Sequence, residues 1–318
     1  MAQKPRRILL VKTSSLGDVV HNLPVASDIA SALAAPIIDW VTEESLVALP
    51  RLHRAVGRVI PVALRRWRKT WWRLETRDEI RRFLAALREV EYDAVIDTQG
   101  LLKSAIVARA AHGRRYGLDW RSSREPLAPF YDVVLNVPRD QPAVERNRAV
   151  AAGALGYAAP TLADYGIVAE KHSRFVDARY AVLIHSTSAS AKLWPEARWS
   201  ALGQTLHARG LRALLPWGSA AERERSERLR RALPDSIVLP RLPLGDLTTV
   251  LADAEYVVGV DTGLTHLAGA LGTRTVGIYT ATDPGRTGLY GCARAVNLGG
   301  VGENPQAADV LRALESLE

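Results

Sequence analysis

Three short stretches gather the side chains that could do chemistry. The first, Lys12-Thr13-Ser14-Ser15-Leu16-Gly17-Asp18, follows an apolar run and precedes Val19, Val20, Leu23 and Val25 at helical spacing. Two roles fit Asp18. A carboxylate this close to a helix start caps free N–H groups and is favoured by the helix dipole. It can equally take a proton from a substrate hydroxyl, with Gly17 letting the backbone turn and a substrate approach. The second stretch, Ser186-Thr187-Ser188-Ala189-Ser190-Ala191-Lys192, sets hydroxyls and amides beside a lysine. That set holds phosphate oxygens, and it also makes an ordinary strand-to-helix turn. In the third, Asp261-Thr262-Gly263-Leu264-Thr265-His266, an apolar strand runs into a helix of small residues. The free N–H groups of such a helix start suit an anion such as a pyrophosphate. A plainer reading makes Asp261 a cap and His266 a satisfied, half-buried ring.

Loops act together only if a scaffold brings them to one edge. Short β-branched runs alternate with longer helical patterns along the whole chain, as in βαβ units around a parallel sheet. In the first half, strands are expected at Ile8 to Val11, Ile37 to Val41, Val59 to Val62, Ala94 to Asp97 and Val133 to Val137. A helix is expected from Thr76 to Val90, where Ile80, Phe83, Leu84, Leu87 and Val90 share one face. The second half repeats the plan at Ala181 to His185, Ala213 to Pro216, Ile237 to Leu239, Tyr256 to Val260 and Thr275 to Tyr279. A closing helix from Ala307 to Leu317 could pack on either half. Gly153 to Gly166, rich in Gly, Ala and Pro, breaks the alternation as a linker does. The expected fold is α/β: two Rossmann-like domains with parallel sheets, residues 1–159 and 160–318. Ligands then belong beyond the carboxyl ends of the strands.

Composition narrows the class. At 318 residues the chain exceeds what one hydrophobic core usually supports, and 47% hydrophobic with 24% charged residues is a globular balance. Cys292 is the only cysteine, which excludes an internal disulfide and a cysteine-based zinc cage and fits a reducing cytoplasm. The opening MAQKPRRILLVK has a short apolar run with no small-residue cleavage site after it, so no secretory leader is expected. No run approaches the ~18 apolar residues that cross a bilayer. A formal charge of +8 predisposes the surface to phosphates, carboxylates, nucleic acid or anionic lipid without choosing among them. No G-x-G-x-x-G follows a strand, and no Gly-Lys pair, G-x-S-x-G or H-E-x-x-H occurs. The seven histidines lack metal-ligand spacing.

In order along the chain, VKTSSLGDVVHNLP, DTQGLLKSA, HSTSASAKLWPEARW, LPWGSAAERER and VDTGLTHLAGALG resemble the lipopolysaccharide heptosyltransferase I family, within glycosyltransferase family 9. The likeness covers nearly the whole chain and includes VIPVALRRWRKTWW and DWRSSREPLA. It implies a GT-B enzyme, two Rossmann-like domains facing across a cleft, that moves L-glycero-D-manno-heptose from its ADP derivative to the inner Kdo of Kdo2-lipid A. On this likeness Asp18 matches the proposed catalytic base, and the donor lies mainly on the C-terminal domain. Thr187, Ser188 and Lys192 match the phosphate and sugar loop, Glu222 the position reaching the ribose, and Leu242 an apolar residue near the adenine. Thr262, Gly263 and His266 match the helix start under the pyrophosphate, with Asp261 near the heptose. Ser188 departs from the second threonine expected there but keeps a hydroxyl. The implied partners are ADP-L-glycero-β-D-manno-heptose and Kdo2-lipid A. With Lys192 and amide groups to stabilise the leaving diphosphate, no obligatory cofactor or metal is expected.

That acceptor carries phosphates and Kdo carboxylates. For these the N-terminal half offers Arg65, Arg66, Arg68, Lys69 and Arg73 interleaved with Trp67, Trp71 and Trp72, and Lys103 and Arg124 after other strands. On a helix Trp67 and Trp71 share a face, fit to lie at the headgroup boundary of an anionic membrane surface. The same pattern fits a solvated basic helix whose tryptophans enter the core. The expected location is cytoplasmic, peripheral on the inner face of the inner membrane. One rival is a heptosyltransferase of the same superfamily acting on an already heptosylated core. The other, a nucleic-acid-binding protein, leaves the three loops without a task, so no nucleic-acid partner is expected.

Overall fold

An uninterrupted run such as Ile8-Leu9-Leu10-Val11 has no polar face to give to water, so it belongs in a sheet covered on both sides. There it lies: β1 (Arg7–Val11) sits between β2 (Ile37–Glu43) and β4 (Glu91–Asp97), and its four apolar residues have no exposed surface. With β3 (Val56–Val62), β5 (His112–Leu118) and β6 (Val133–Leu135) it forms a six-stranded sheet of order β3-β2-β1-β4-β5-β6. The computed structural model describes residues 6–169 and 176–318, so the first residues of the basic opening stretch lie outside the described residues. Two units divide the chain, Met1–Ile167 and Val168–Glu318.

The second unit holds β7 (Tyr180–Ile184), β8 (Arg212–Leu215), β9 (Ile237–Val238), β10 (Tyr256–Val260), β11 (Thr275–Tyr279) and β12 (Ala295–Gly299). Their order, β12-β11-β10-β7-β8-β9, is that of the first sheet when strands are counted from β7. Every strand pair in both sheets is parallel. Each sheet therefore has a switch point between its first and fourth strands, where connections leave in opposite directions and a ligand crevice opens.

Packing follows the helical periodicity. The Leu74–Arg88 helix buries Phe83 and Leu87, and Trp67 packs on Phe83 with ring centroids 5.5 Å apart. Each such buried side chain is worth ~1.5–3 kcal/mol. In the second unit Trp194 and Trp199 meet edge to face at 4.9 Å. The Ala307–Glu315 helix packs into that unit's own core through Val310 and Leu314.

Three features differ from the sequence expectation. Strand β5 reads His-Gly-Arg-Arg-Tyr-Gly-Leu, whose arginines and glycines hide a strand, and β12 is a half-buried edge. Gly117 in β5 is required, since a Cβ there would come within 2.4 Å of the Tyr131 ring. Gly153 lies inside the Ala143–Leu155 helix, which ends only at Gly156 with φ 75°. The division between units lies beyond Pro160 because side chains tie residues 160–167 to the first unit. Buried Arg148 pairs with Asp28 at 2.7 Å and donates to the carbonyls of Pro160 and Leu162. The Gly166 carbonyl accepts from the Arg54 N–H at 3.0 Å, and Ile167 bridges His53. Among the described residues no helix is long and apolar enough to cross a membrane.

Candidate active site

In each unit the first and fourth strands pair, so the loops at their carboxyl ends are neighbours. After β1, a short helix (Leu16–Val20) begins beyond Ser15 and carries Asp18 in its first turn. Asp18 Oδ2 accepts from the Ser15 N–H at 2.6 Å and the Ser15 hydroxyl at 3.0 Å. The capping contact is real, and it anchors the carboxylate through one oxygen. Beneath this loop Lys12 is buried, donating to the Thr98 carbonyl at 2.9 Å and Asn147 Oδ1 at 3.1 Å. Burial pulls the lysine pKa down, and the nearby charges of Asp18 and Asp97 oppose that shift.

Glu43, at the end of β2, accepts from the N–H groups of Leu64 at 3.1 Å and Arg65 at 2.9 Å. An acid at this position steadies the Leu64–Thr70 helix through its dipole. The helix brings Arg65, Arg68 and Lys69 to a cavity of about 950 Å³ whose apolar wall includes Leu64, Trp71, Ile80, Leu84 and Ile106. Lys103, on the Leu102–Ala110 helix, lines the same cavity and donates to Ser14 Oγ at 2.5 Å, so the cavity adjoins the Asp18 loop. Arg66 faces elsewhere, paired with Glu44 at 3.0 Å and Glu79 at 2.8 Å. Trp67 lines the same cavity as Trp71 but from the core side: it is 8% exposed and donates to Glu79 at 2.7 Å. Trp71 and Trp72 are 60% and 57% exposed. The basic segment thus gives one ring to the core and two to the surface.

Arg124 stands apart from that cavity wall, directly after Ser122 and Ser123. Their carbonyls accept from Arg146, at 2.8 Å, and from Arg139. Burial, then the charges of Arg124 and Arg139, lower the pKa of Arg146, a sign of like charges held together. Three guanidiniums so placed attract an anion.

In the second unit the chain leaves β7 at His185, which is buried between Ser226 at 2.8 Å and Ser186 at 2.7 Å. Burial, with Arg225 close by, pushes its pKa down to about 4. Beyond it the Thr187 hydroxyl donates to the Asp261 carbonyl at 3.2 Å, and the Ser190–Lys192 turn places Lys192 Nζ 2.7 Å from Asp261 Oδ2. Asp261 also meets His266 Nε2 at 3.1 Å and accepts from the Thr282 hydroxyl at 2.6 Å. Burial alone would raise its pKa, but hydrogen bonds from His266, Lys192 and Thr282 hold it well below the usual carboxylate range. The Gly263–Ala270 helix starts after Thr262, seated by the Thr265 hydroxyl on the Val260 carbonyl at 2.7 Å. Gly259 permits this approach, since a Cβ there would lie 2.1 Å from Thr265 Oγ1. One lysine, a helix N-terminus and several hydroxyls surround this point, a fit for a diphosphate.

The sequence profile of glycosyltransferase family 9 (heptosyltransferase) matches residues 80–313. This chain belongs to that family. It is similar to lipopolysaccharide heptosyltransferase 1 of Pseudomonas aeruginosa, 49% identical over 297 residues, covering 92% of this chain and 83% of the relative. It is also similar to E. coli heptosyltransferase WaaC solved with ADP, at TM-score 0.89 and 41% identity over 98% of this chain and 100% of that one. The WaaC structure with ADP-2-deoxy-2-fluoro heptose matches at TM-score 0.86, again 41% identical, with the same coverage.

For a family 9 glycosyltransferase the donor residues expected from sequence fall into two groups. Thr187, Lys192, Asp261, Thr262, Gly263 and His266 gather at the ends of β7 and β10, with Ser188 exposed on the same loop. Glu222 stands in the first turn of the helix after β8, and Leu242 on the loop after β9. Glu222 accepts from the N–H groups of Gly218 at 2.6 Å and Ser219 at 3.3 Å, capping the Ala220–Ala232 helix, and Leu242 is half-buried. Sequence reading placed Lys12 in the first loop without giving it a role, and it missed Thr282, Arg139 and Arg146. The rule that ligands sit beyond strand ends reaches Lys12 and Thr282, after β1 and β11; nothing local marks the two arginines.

Proposed function

We propose that this glycosyltransferase moves L-glycero-D-manno-heptose from ADP-L-glycero-β-D-manno-heptose to the inner Kdo of Kdo2-lipid A, in lipopolysaccharide inner-core synthesis. The observation that carries the reading is the Lys192–Asp261–His266 cluster at the start of the Gly263–Ala270 helix, on a chain similar to WaaC solved with ADP and a fluorinated ADP-heptose. An acceptor hydroxyl attacks the anomeric carbon from the face opposite the diphosphate, and the bond to ADP breaks through an oxocarbenium-like transition state. Asp18 takes the hydroxyl proton as the new bond forms. Lys192 and the helix N–H groups offset the charge building on the leaving diphosphate, a contribution made where that charge develops. Asp261, kept ionised, holds the sugar hydroxyls. Glu222 reaches the ribose and Leu242 packs by the adenine.

The acceptor's anionic groups belong with Arg65, Arg68, Lys69 and Lys103 at the cavity, and with Arg124, Arg139 and Arg146. Arg66, already neutralised by Glu44 and Glu79, serves the helix rather than the substrate. Exposed Trp71, Trp72 and Leu74, bordered by Arg68, Lys69 and Arg73, suit the anionic cytoplasmic face of the inner membrane, where the lipid acceptor lies. The test is product analysis by mass spectrometry with ADP-heptose and Kdo2-lipid A, alongside calorimetry of ADP-heptose binding. One added heptose is expected. Incorporation only on an already heptosylated core would overturn the acceptor assignment, and absence of ADP-heptose binding would overturn the donor.

A further inference from the structure

We infer that Gln99 is the positioning residue of the Asp18 loop: its amide grips the backbone of Thr13 and Ser14 and thereby fixes where the Asp18 carboxylate stands. The inference rests on Asp18 being the base. Gln99 Oε1 accepts from the N–H groups of Thr13 at 3.0 Å and Ser14 at 3.1 Å, and Nε2 donates to the Ser14 carbonyl at 2.5 Å. A single side chain thus meets three main-chain groups of a loop far away in sequence. A carboxamide accepts through its oxygen while donating through its separate nitrogen; an ionised glutamate has no donor, and leucine has neither function.

Gln99 is itself held. Asp97 Oδ1 accepts from the Gln99 N–H at 2.8 Å and the Gly100 N–H at 3.2 Å, while its Oδ2 accepts from the Tyr131 hydroxyl at 2.9 Å. Gly100 takes φ 65°, the left-handed turn that glycine adopts without steric cost. Lys12 bonds the Thr98 carbonyl from below, and Lys103 bonds the Ser14 hydroxyl from the following helix. An unbroken chain of hydrogen bonds therefore runs from buried Asp97 through Gln99 to Ser14, and from Ser15 to Asp18. A base displaced by about 1 Å can lose ~100-fold in rate. This clamp prevents such drift.

The experiment compares Gln99→Leu, Gln99→Glu and Asp18→Ala in the full-length enzyme. Steady-state kinetics, calorimetric ADP binding, thermal melting and pH–rate profiles are read for each. Gln99→Leu should lower kcat by ~10–100-fold, the range expected of a misplaced group, with ADP affinity and acceptor KM within about twofold and the folded fraction preserved. Gln99→Glu keeps the two accepted bonds and sets a second carboxylate beside the loop. It should lose less rate than the leucine variant and move the acidic limb of kcat/KM to higher pH, because like charges disfavour ionisation. Unchanged kcat in folded Gln99→Leu, beside an inactive Asp18→Ala, sinks the clamp alone. So does a rate loss fully accounted for by unfolding, with a wild-type pH profile in Gln99→Glu. Full turnover in Asp18→Ala instead sinks the base reading on which the clamp rests.

Discussion

Asp97-Thr98 and Asp261-Thr262 occupy the same place in two sheets of the same strand order, at the end of the fourth strand. Their surroundings are opposite. Asp97 is met by two backbone N–H groups and a phenol, and burial raises its pKa despite those bonds. Asp261 is met by a lysine, a histidine and a hydroxyl, and it stays ionised far into acid. One carboxylate anchors a turn; the other holds charge at a site. Position in a doubly wound sheet brings a residue to the crevice, and the partners arriving from neighbouring loops decide whether it works there as structure or as chemistry.

The sharpest challenge to that division lies one strand away from Asp97. Asp18→Ala should cut turnover by ~10²–10⁴, the share of a general base, while ADP-heptose affinity by calorimetry stays within about twofold. Retained turnover would leave Asp18 as a cap only. Next in size, Asp97→Ala strands three donors at ~1–3 kcal/mol each, so the urea midpoint should fall markedly. Lys192→Ala should do the reverse, weakening ADP-heptose binding ~10-fold or more through loss of a charged contact and barely moving the midpoint. Were the two phenotypes exchanged, the contrast between the units would collapse.

Acid gives a smaller test, with a sign that follows from burial. His53 and His185, one in each unit, are both pushed down to about 4 by burial, each with an arginine beside it. The unfolded chain takes up a proton near pH 6.5, and each native ring resists until about 4. Stability from each ring is therefore full above pH 6.5 and declines as pH falls toward 4, by ~1.4 kcal/mol per pH unit. Asp261, depressed in the native state, loses its contribution only as pH falls below its ordinary value of 3.8. Calorimetric melting between pH 7 and 4.5 should show both units weakening together, and a transition insensitive to pH in that window would contradict the burial argument. Smallest of all, Trp72→Ala with Leu74→Ala should reduce co-sedimentation with vesicles containing anionic phosphatidylglycerol. Each lost apolar contact is worth ~1 kcal/mol or more. Equal binding to neutral and anionic vesicles would remove the charged, aromatic face as the docking surface.

Much of the fold was legible because parallel strands buried on both faces must be continuous apolar runs, as in Ile8 to Val11 and Tyr256 to Val260. The alternation set the class and put Lys12 to Asp18 and Asp261 to His266 at strand ends. Strand β5 escaped because its arginines and glycines break the apolar pattern at a place where neighbours, not propensity, hold the backbone extended. Gln99 and Arg146 escaped for another reason. Their partners lie on loops of other strands, and nothing in the local spacing of DTQG or of the Ala143–Leu155 helix announces a contact made through the sheet. The split of Trp67 from Trp71 is similar, since helical periodicity places both on one face and only the ends of the helix decide which ring the core reaches.

The contiguity of each sheet has a consequence for biogenesis. All strands of the first sheet precede residue 136, and the pairs that finish that unit, Arg148 with Asp28 and Ile167 with His53, are complete by residue 167. Among the described residues this sheet borrows no strand from downstream. On a ribosome adding ~5–20 residues per second, the rest of the chain needs roughly 8–30 s to emerge. The nascent N-terminal half can close its core in that interval, shielding its apolar strands before the second half is translated and sparing the cell a long aggregation-prone intermediate.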